Sequence, residues 1–247
     1  AFINPSFYDY MHAPGLLSYL NTPSIYYCQE PFAHFHKHYT VHKKTLYSIR
    51  KIYNLFISWL GKLHYFFYSI YDRHNVRGAD LVLCNSYYSR ECIYKVYGIL
   101  SNVNYLGVDT QKFKPLDIIK ENLVVSIGHL EPRKAHDFVI RAMGMLSQQI
   151  RPKLAIIYPN DLEEVREYKE YLERIAFESK VDVLFFEKVS DEELVLLYNK
   201  AKFTACAFVN EPFGLVPLES MACQTPVVAI KEAGLKESLI HNQTGIL

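Results

Sequence analysis

The sequence predicts an α/β protein with a parallel sheet covered on both faces. Three observations carry the prediction. Short, continuously apolar runs such as LVVSIG (123–128) and KLAIIYP (153–159) alternate with longer amphipathic stretches, which is how strands buried on both sides of a parallel sheet read. Five such runs follow residue 120, each separated from the next by a helical pattern or connection. The chain has 247 residues, 50% of them hydrophobic, enough core for one large domain or two ordinary ones.

The elements follow in order. PSIYYC (23–28) is a short β-rich run after Pro23, and residues 45–77 read as one long helix or two. ADLVLCNS (79–86) is an apolar strand with a polar end. YYSRECIYKVYG (87–98) is a short helix that Gly98 terminates, and NVNYLGVD (102–109) is a further strand. Residues 110–122 read as a connection. Beyond it come a strand at 123–128, a helix at 134–147 and a strand at 153–159. A helix at 162–178 follows, with Val165, Tyr168, Leu172, Ile175 and Ala176 on one stripe. A strand spans 181–189, and Ser190 with Glu193 forms a capping box for a helix at 191–201. The series closes with a strand at 203–209, a helix at 214–223, a strand at 226–230 and a short helix at 235–240. In such sheets ligands sit beyond the carboxyl ends of the strands.

Bulk properties narrow the classes of function. A formal charge of +1 gives no bias toward nucleic acid or acidic partners. Cys28, Cys84, Cys92, Cys206 and Cys223 are scattered without a C-x-x-C pair. They read as reduced thiols, in keeping with a cytoplasmic protein. Residues 52–71 are apolar, but Lys62, His64, Asn54 and Ser58 interrupt them, so a buried or interfacial helix is expected rather than a span. Tyr, Phe, Trp59 and Ile in 45–77 are interspersed with Arg50, Lys51, Lys62 and Arg73. These aromatics either pack against the rest of the N-terminal half or meet an anionic lipid surface. His34, His36, His38 and His42 alternate in AHFHKHYTVH, but no cysteine or carboxylate completes a metal-site spacing. A polar loop touching substrate and plain surface both remain open for them. The chain begins at Ala1 without a methionine, shows no signal peptide and stops inside the apolar run QTGIL. It is therefore expected to be a piece of a longer protein.

Two stretches break the structural rules. On a wheel for 214–223, Glu219 falls between Leu215 and Cys223 inside an apolar arc, while Pro217 and Ser220 share the remaining side. An unpaired buried carboxylate there costs several kcal/mol or more, so either a basic partner or a polar ligand is expected. The amides near Phe213, Gly214 and Leu215 at the helix start suit a phosphate. Glu219 lies one turn further in, about 6 Å along the axis, where a carboxylate can accept both hydroxyls of a ribose. In GHLEPRKAHDF (128–138), Arg133 and Lys134 sit at the start of a helix. That position opposes the dipole unless an anion lies between.

Together these stretches resemble the retaining glycosyltransferases of family 4. EPFGLVPLESMACQTPVVA (211–229) is similar to that family's E-x7-E signature, and VVSIGHLEPRKAHDFVIRAM to its diphosphate motif. NSYYSRECIYKVYG with VNYLGVDTQKFKP resembles the end of the N-terminal domain and the hinge. TPSIYYCQEP resembles an earlier strand, and EAGLKESLIHNQTGIL the stretch after the second glutamate. The resemblance implies the GT-B architecture of two Rossmann-like domains: an incomplete N-terminal one over 1–112 and a nearly complete C-terminal one over 113–247.

It also implies roles. Glu219 would hold the ribose, and Glu211 the donor sugar near its reacting carbon. Phe213, Gly214 and Leu215 would offer amides to the diphosphate, and Lys134, with Arg133, its positive charge. Gly128 and His129 open the diphosphate motif, with His129 standing where the family has arginine. Gln29 and Glu30, standing where the family often has a histidine, become sugar or acceptor contacts. The implied partners are a nucleotide-diphosphate sugar and a glycan or lipid-linked acceptor, at the inner membrane face, with no cofactor, metal or nucleic acid. Two alternatives stay open: a non-catalytic nucleotide-sugar-binding domain, and a GT-B-like epimerase.

Overall fold

The computed structural model describes residues 15–31, 66–159 and 162–247. The histidine cluster and most of the 45–77 stretch lie outside them. The chain divides after Tyr105 into two compact units. Val108 and Phe113 pack into the second unit's core.

In the first unit, β1 (Ile25–Tyr27), β2 (Leu81–Cys84) and β3 (Asn102–Val103) form a parallel sheet in the order β1-β2-β3. Residues 66–77 are helical (α1), and α2 spans Tyr87–Tyr97. Ser86 caps α2 by accepting from the Ser89 amide, and Gly98 ends it in the left-handed region at φ 69°. Leu17, Tyr26, Val76, Val82, Ile93 and Tyr97 make the core. The strand expected over 102–109 stops at Val103. Its partner β2 ends at Cys84, where the chain turns into the α2 cap, so only the Asn104 amide finds one more strand carbonyl, at 2.8 Å on Cys84.

The second unit runs β4 (Leu123–Ile127), α3 (His136–Gly144), β5 (Lys153–Tyr158), α4 (Leu162–Ser179), β6 (Val183–Glu187), α5 (Asp191–Lys200) and β7 (Phe203–Cys206). It continues through α6 (Leu215–Ala222), β8 (Val227–Ala229), α7 (Leu235–Ser238) and β9 (Gly245–Ile246). All its strands are parallel, in the order β6-β5-β4-β7-β8-β9. The period of two along each strand explains the layering. Val124, Leu154 and Ile156 face α3 and α4 together with Val139, Ile140, Leu172 and Ile175. Val125, Ala155 and Ile157 face the other way, toward Val195, Tyr198 and Cys223. The stripe expected on 162–178 packs into the first layer, and the Ser190–Glu193 capping box is present.

Three expectations change. A sixth strand, β9, joins the edge through Val227 opposite Gly245; at two residues it carries no legible pattern. The helix expected over 134–147 is broken. Pro132–Lys134 form a 3-10 turn, Ala135 sits at φ 48°, and α3 begins at His136. The strand expected to reach Val209 stops at Cys206, because the Val209 amide donates to the Arg133 carbonyl instead, at 2.8 Å. At the amino end of the sheet, Arg151 donates to the carbonyls of Gly144 and Ser179, at 2.8 and 3.2 Å, closing the C-termini of α3 and α4.

Candidate functional site

Strand order in the second unit reverses between β4 and β7, which pair through Val124 with Phe203 and Val125 with Thr204. In doubly wound sheets such a reversal is where ligands bind, in the crevice outside the carboxyl ends of the strands. Nine of the residues singled out from the sequence lie on the loops leaving these two strands and on α6.

The β4 loop begins at Gly128, whose φ of 156° and close neighbour both select glycine. A Cβ there would stand 3.0 Å from Cγ and Cδ of Lys134. The lysine stem thus lies across the glycine. Its Nζ reaches Glu211 Oε2 at 2.6 Å and stands 4.7 Å above the Phe208 ring. Both side chains of the pair are largely buried, 14% and 17% exposed, so their attraction is screened far less than that of a surface pair. The 3-10 turn delivers the lysine to this place, and the Val209–Arg133 hydrogen bond ties the two loops together. Beneath the loop, His136 is fully buried with Nδ1 2.9 Å from the Ser126 hydroxyl. Burial pushes its imidazole down to about 4, so it is neutral at pH 7.

The β7 loop carries Glu211 and Phe213 to α6. It is clamped from outside, since the Gly234 amide donates to the Glu211 carbonyl at 2.9 Å. A Cβ on Gly234 would overlap the Pro212 carbonyl and stand 2.7 Å from Phe213 Cα. Replacing Gly234 by alanine is therefore expected to push the loop outward. A stability loss of about 1–3 kcal/mol, read from a urea unfolding midpoint, should accompany weaker ligand binding. An unchanged midpoint would mean that the loop yields freely.

Gly214, at φ 89°, is the N-cap of α6 and offers no capping side chain. The first amides of α6 have no acceptor within the helix, and Pro217 in the first turn needs none. The buried side of α6 differs from the wheel expectation. Pro217 and Ser220 face the core, Ser220 bonding Thr204 Oγ1 at 2.7 Å and the Thr225 carbonyl at 2.8 Å, while Leu215 is 41% exposed. Small, hydrogen-bonded residues bring the helix close to β7, and the bulkier side chains turn outward. Glu219 is half-buried on the outward part and has no ion-pair partner among the described residues. The basic partner weighed for it from the sequence is therefore not found there. Its Oε2 instead accepts the Tyr198 hydroxyl at 2.7 Å. Burial lifts the Glu219 carboxyl above the usual carboxylate range, against the pull of that hydrogen bond and of Lys112.

His129 is exposed on the β4 loop, its carbonyl accepting from the Glu131 amide at 2.8 Å. Arg133 Nε lies 3.3 Å from Glu131 Oε1. Gln29 and Glu30 follow β1 in the first unit, both exposed, with the Gln29 carbonyl accepting from Ser89 Oγ at 3.1 Å. Sequence reasoning missed Tyr198. The available signal was a tyrosine three residues after Val195 on a buried helix face, because a buried phenol needs a partner for its hydroxyl.

The fold is that of a Rossmann-like unit of the kind found in GT-B glycosyltransferases. Residues 108–247 match the model of the family described as glycosyl transferases group 1, and the chain belongs to that family. It is 27% identical over 224 residues to the alpha-1,3/1,6-mannosyltransferase ALG2 of Mus musculus, covering 81% of this chain and 51% of that protein. Among solved structures it is similar to Anabaena Alr3699/HepE in complex with UDP, with 25% identity, a TM-score of 0.60, and coverage of 72% of this chain and 53% of the other. Sucrose-phosphate synthase from Thermosynechococcus elongatus shares the fold with a TM-score of 0.63 at 22% identity, over 72% of this chain and 47% of the other. The chain spans between 31% and 51% of the length of the curated relatives it matches.

Proposed function

We propose that this chain carries the donor-binding part of a retaining glycosyltransferase of family 4. In this reading it moves a hexosyl group from a nucleotide-diphosphate sugar to an acceptor hydroxyl in cell-surface polysaccharide or glycolipid synthesis. The observation that carries the reading is the buried Lys134–Glu211 pair at the switch point, beside a helix start without a side-chain cap. That the relative from Anabaena was solved with UDP supports a nucleotide donor.

The chemistry follows from charge. As the bond from the anomeric carbon to the diphosphate breaks, positive charge grows on the sugar and negative charge on the departing phosphate. Lys134 and the amides of Gly214 and Leu215 stabilise the phosphate, in a site where they cost no reorganisation. Glu211, held by the lysine, faces the sugar. The acceptor oxygen bonds the anomeric carbon from the face that the phosphate leaves, and its proton passes to a phosphate oxygen. Glu219 takes the ribose hydroxyls. No cofactor or metal enters this reading.

The acceptor is proposed to be a glycan or lipid-linked hydroxyl met at the inner membrane face. α1 exposes Phe66, Phe67, Ile70 and Tyr71, which suits a peripheral lipid contact. No helix among the described residues is long and apolar enough to cross a membrane.

The test is product analysis. The protein is incubated with UDP- and GDP-hexoses and candidate acceptors, and the mixture is examined by mass spectrometry and proton NMR. A new sugar–acceptor bond with the donor's anomeric configuration is expected. An epimerised nucleotide sugar without transfer, or tight binding without turnover, would overturn the reading in favour of an epimerase or a binding domain.

A further inference from the structure

We propose that Tyr198 is a positioning residue that fixes the carboxylate of Glu219 for reading the ribose, an inference that rests on the donor-binding role given to Glu219 above. Tyr198 is held at three points. Its ring lies in the core layer with Val195 and Ala201 and meets Phe113 edge-on, with centroids 6.1 Å apart. Its carbonyl accepts the Thr225 hydroxyl at 2.7 Å. Its own hydroxyl reaches Glu219 Oε2 at 2.7 Å. Thr225 is itself locked, since its hydroxyl also takes the Lys120 ammonium at 2.8 Å and its carbonyl takes Ser220 Oγ. The phenol is therefore a rigid donor at a fixed point, and burial keeps it protonated, far above the ordinary tyrosine range.

The converse arrangement, in which Glu219 exists only to satisfy Tyr198, is the weaker account. A neutral carbonyl satisfies a buried hydroxyl as well, without the cost of holding a carboxylate in a half-buried place. The Lys112 ammonium, whose charge acts on Glu219, is itself paired with Asp191. One glutamate oxygen is thus pinned from the protein side, while the other accepts no hydrogen bond among the described residues. A free glutamate on a helix surface samples several rotamers. Pinning Oε2 leaves one orientation, which is what discriminating a vicinal diol from a single hydroxyl requires.

Calorimetric titration with UDP and GDP, and with their 2′-deoxy counterparts, tests this on four proteins. Wild type is expected to prefer the ribonucleotide. In Tyr198→Phe the preference should fall by about tenfold, the worth of one hydrogen bond to a charged group. Affinity for the 2′-deoxy ligand should stay within about twofold, since removing the phenol touches no phosphate contact. Glu219→Asp leaves the core untouched but withdraws the carboxylate from the phenol, and should lose the preference similarly. Glu219→Ala controls the underlying reading. If it keeps the wild-type preference, Glu219 does not read ribose and the donor assignment itself fails. If Glu219→Ala loses the preference while Tyr198→Phe and Glu219→Asp both retain it, the positioning role alone is overturned. A lower melting temperature in Tyr198→Phe with the preference intact would likewise reduce Tyr198 to a core residue.

Discussion

Replacing Lys134 by alanine is expected to lower kcat/KM by two to three orders of magnitude. Removing one preorganised charge that meets a developing anion costs about 10²–10³-fold, and this cation lies in a mostly buried place, 14% exposed, where its field is poorly screened. The substitution also strands Glu211, 17% exposed, without its 2.6 Å partner, so a second penalty adds to the first. Arginine should not rescue the activity. The lysine stem passes 3.0 Å from where a Gly128 Cβ would stand and ends above Phe208, so a longer stem with a planar fork would have to leave the point that the ammonium holds against Glu211. Steady-state kinetics on alanine and arginine variants would show this. A loss below about tenfold in Lys134→Ala would mean that the diphosphate is held by the helix start alone.

Glu211→Gln should behave differently. Its charge is proposed to act on the sugar as positive character develops, so kcat should fall by roughly 100-fold. Binding of UDP or GDP should stay level or tighten, because the glutamine no longer competes with the diphosphate for the Lys134 ammonium. Rapid-quench kinetics alongside calorimetry separates the two quantities. Equal, modest losses in both would confine Glu211 to holding its loop, a task it already shares through the 2.9 Å hydrogen bond from Gly234 to its carbonyl.

What could be read from the sequence follows from where each residue sits. β4 and β5 were legible because the middle of a parallel sheet is buried on both faces: Val124, Val125, Leu154, Ala155 and Ile156 keep the two runs apolar on both faces. The two-residue edge strand β9 carries no such signal. The break at Ala135 was invisible because no glycine or asparagine in PRKAHDF marks a positive φ. On α6 the hydrophobic wheel pointed the wrong way. Burial there follows hydrogen bonding and close approach, through Ser220 with Thr204, rather than side-chain apolarity. The candidate site was legible as residue types at two strand ends. Its two decisive contacts were not. Lys134 and Glu211 are 77 positions apart, and Tyr198 and Glu219 are 21 apart. Both distances are set by the strand order, which local pattern does not encode.

The central claim is that a nucleoside diphosphate occupies the crevice between the β4 and β7 loops. Amide shift perturbation in the ¹⁵N-labelled protein titrated with UDP and GDP tests it most directly. The largest shifts are expected at Gly128, Gly214 and Leu215, with the Glu219 amide following. Shifts concentrated instead at Asn122, Arg151, Lys153 and Asp182, which line a depression of about 300 Å³ at the amino end of the same sheet, with the switch-point amides unmoved, would contradict the account.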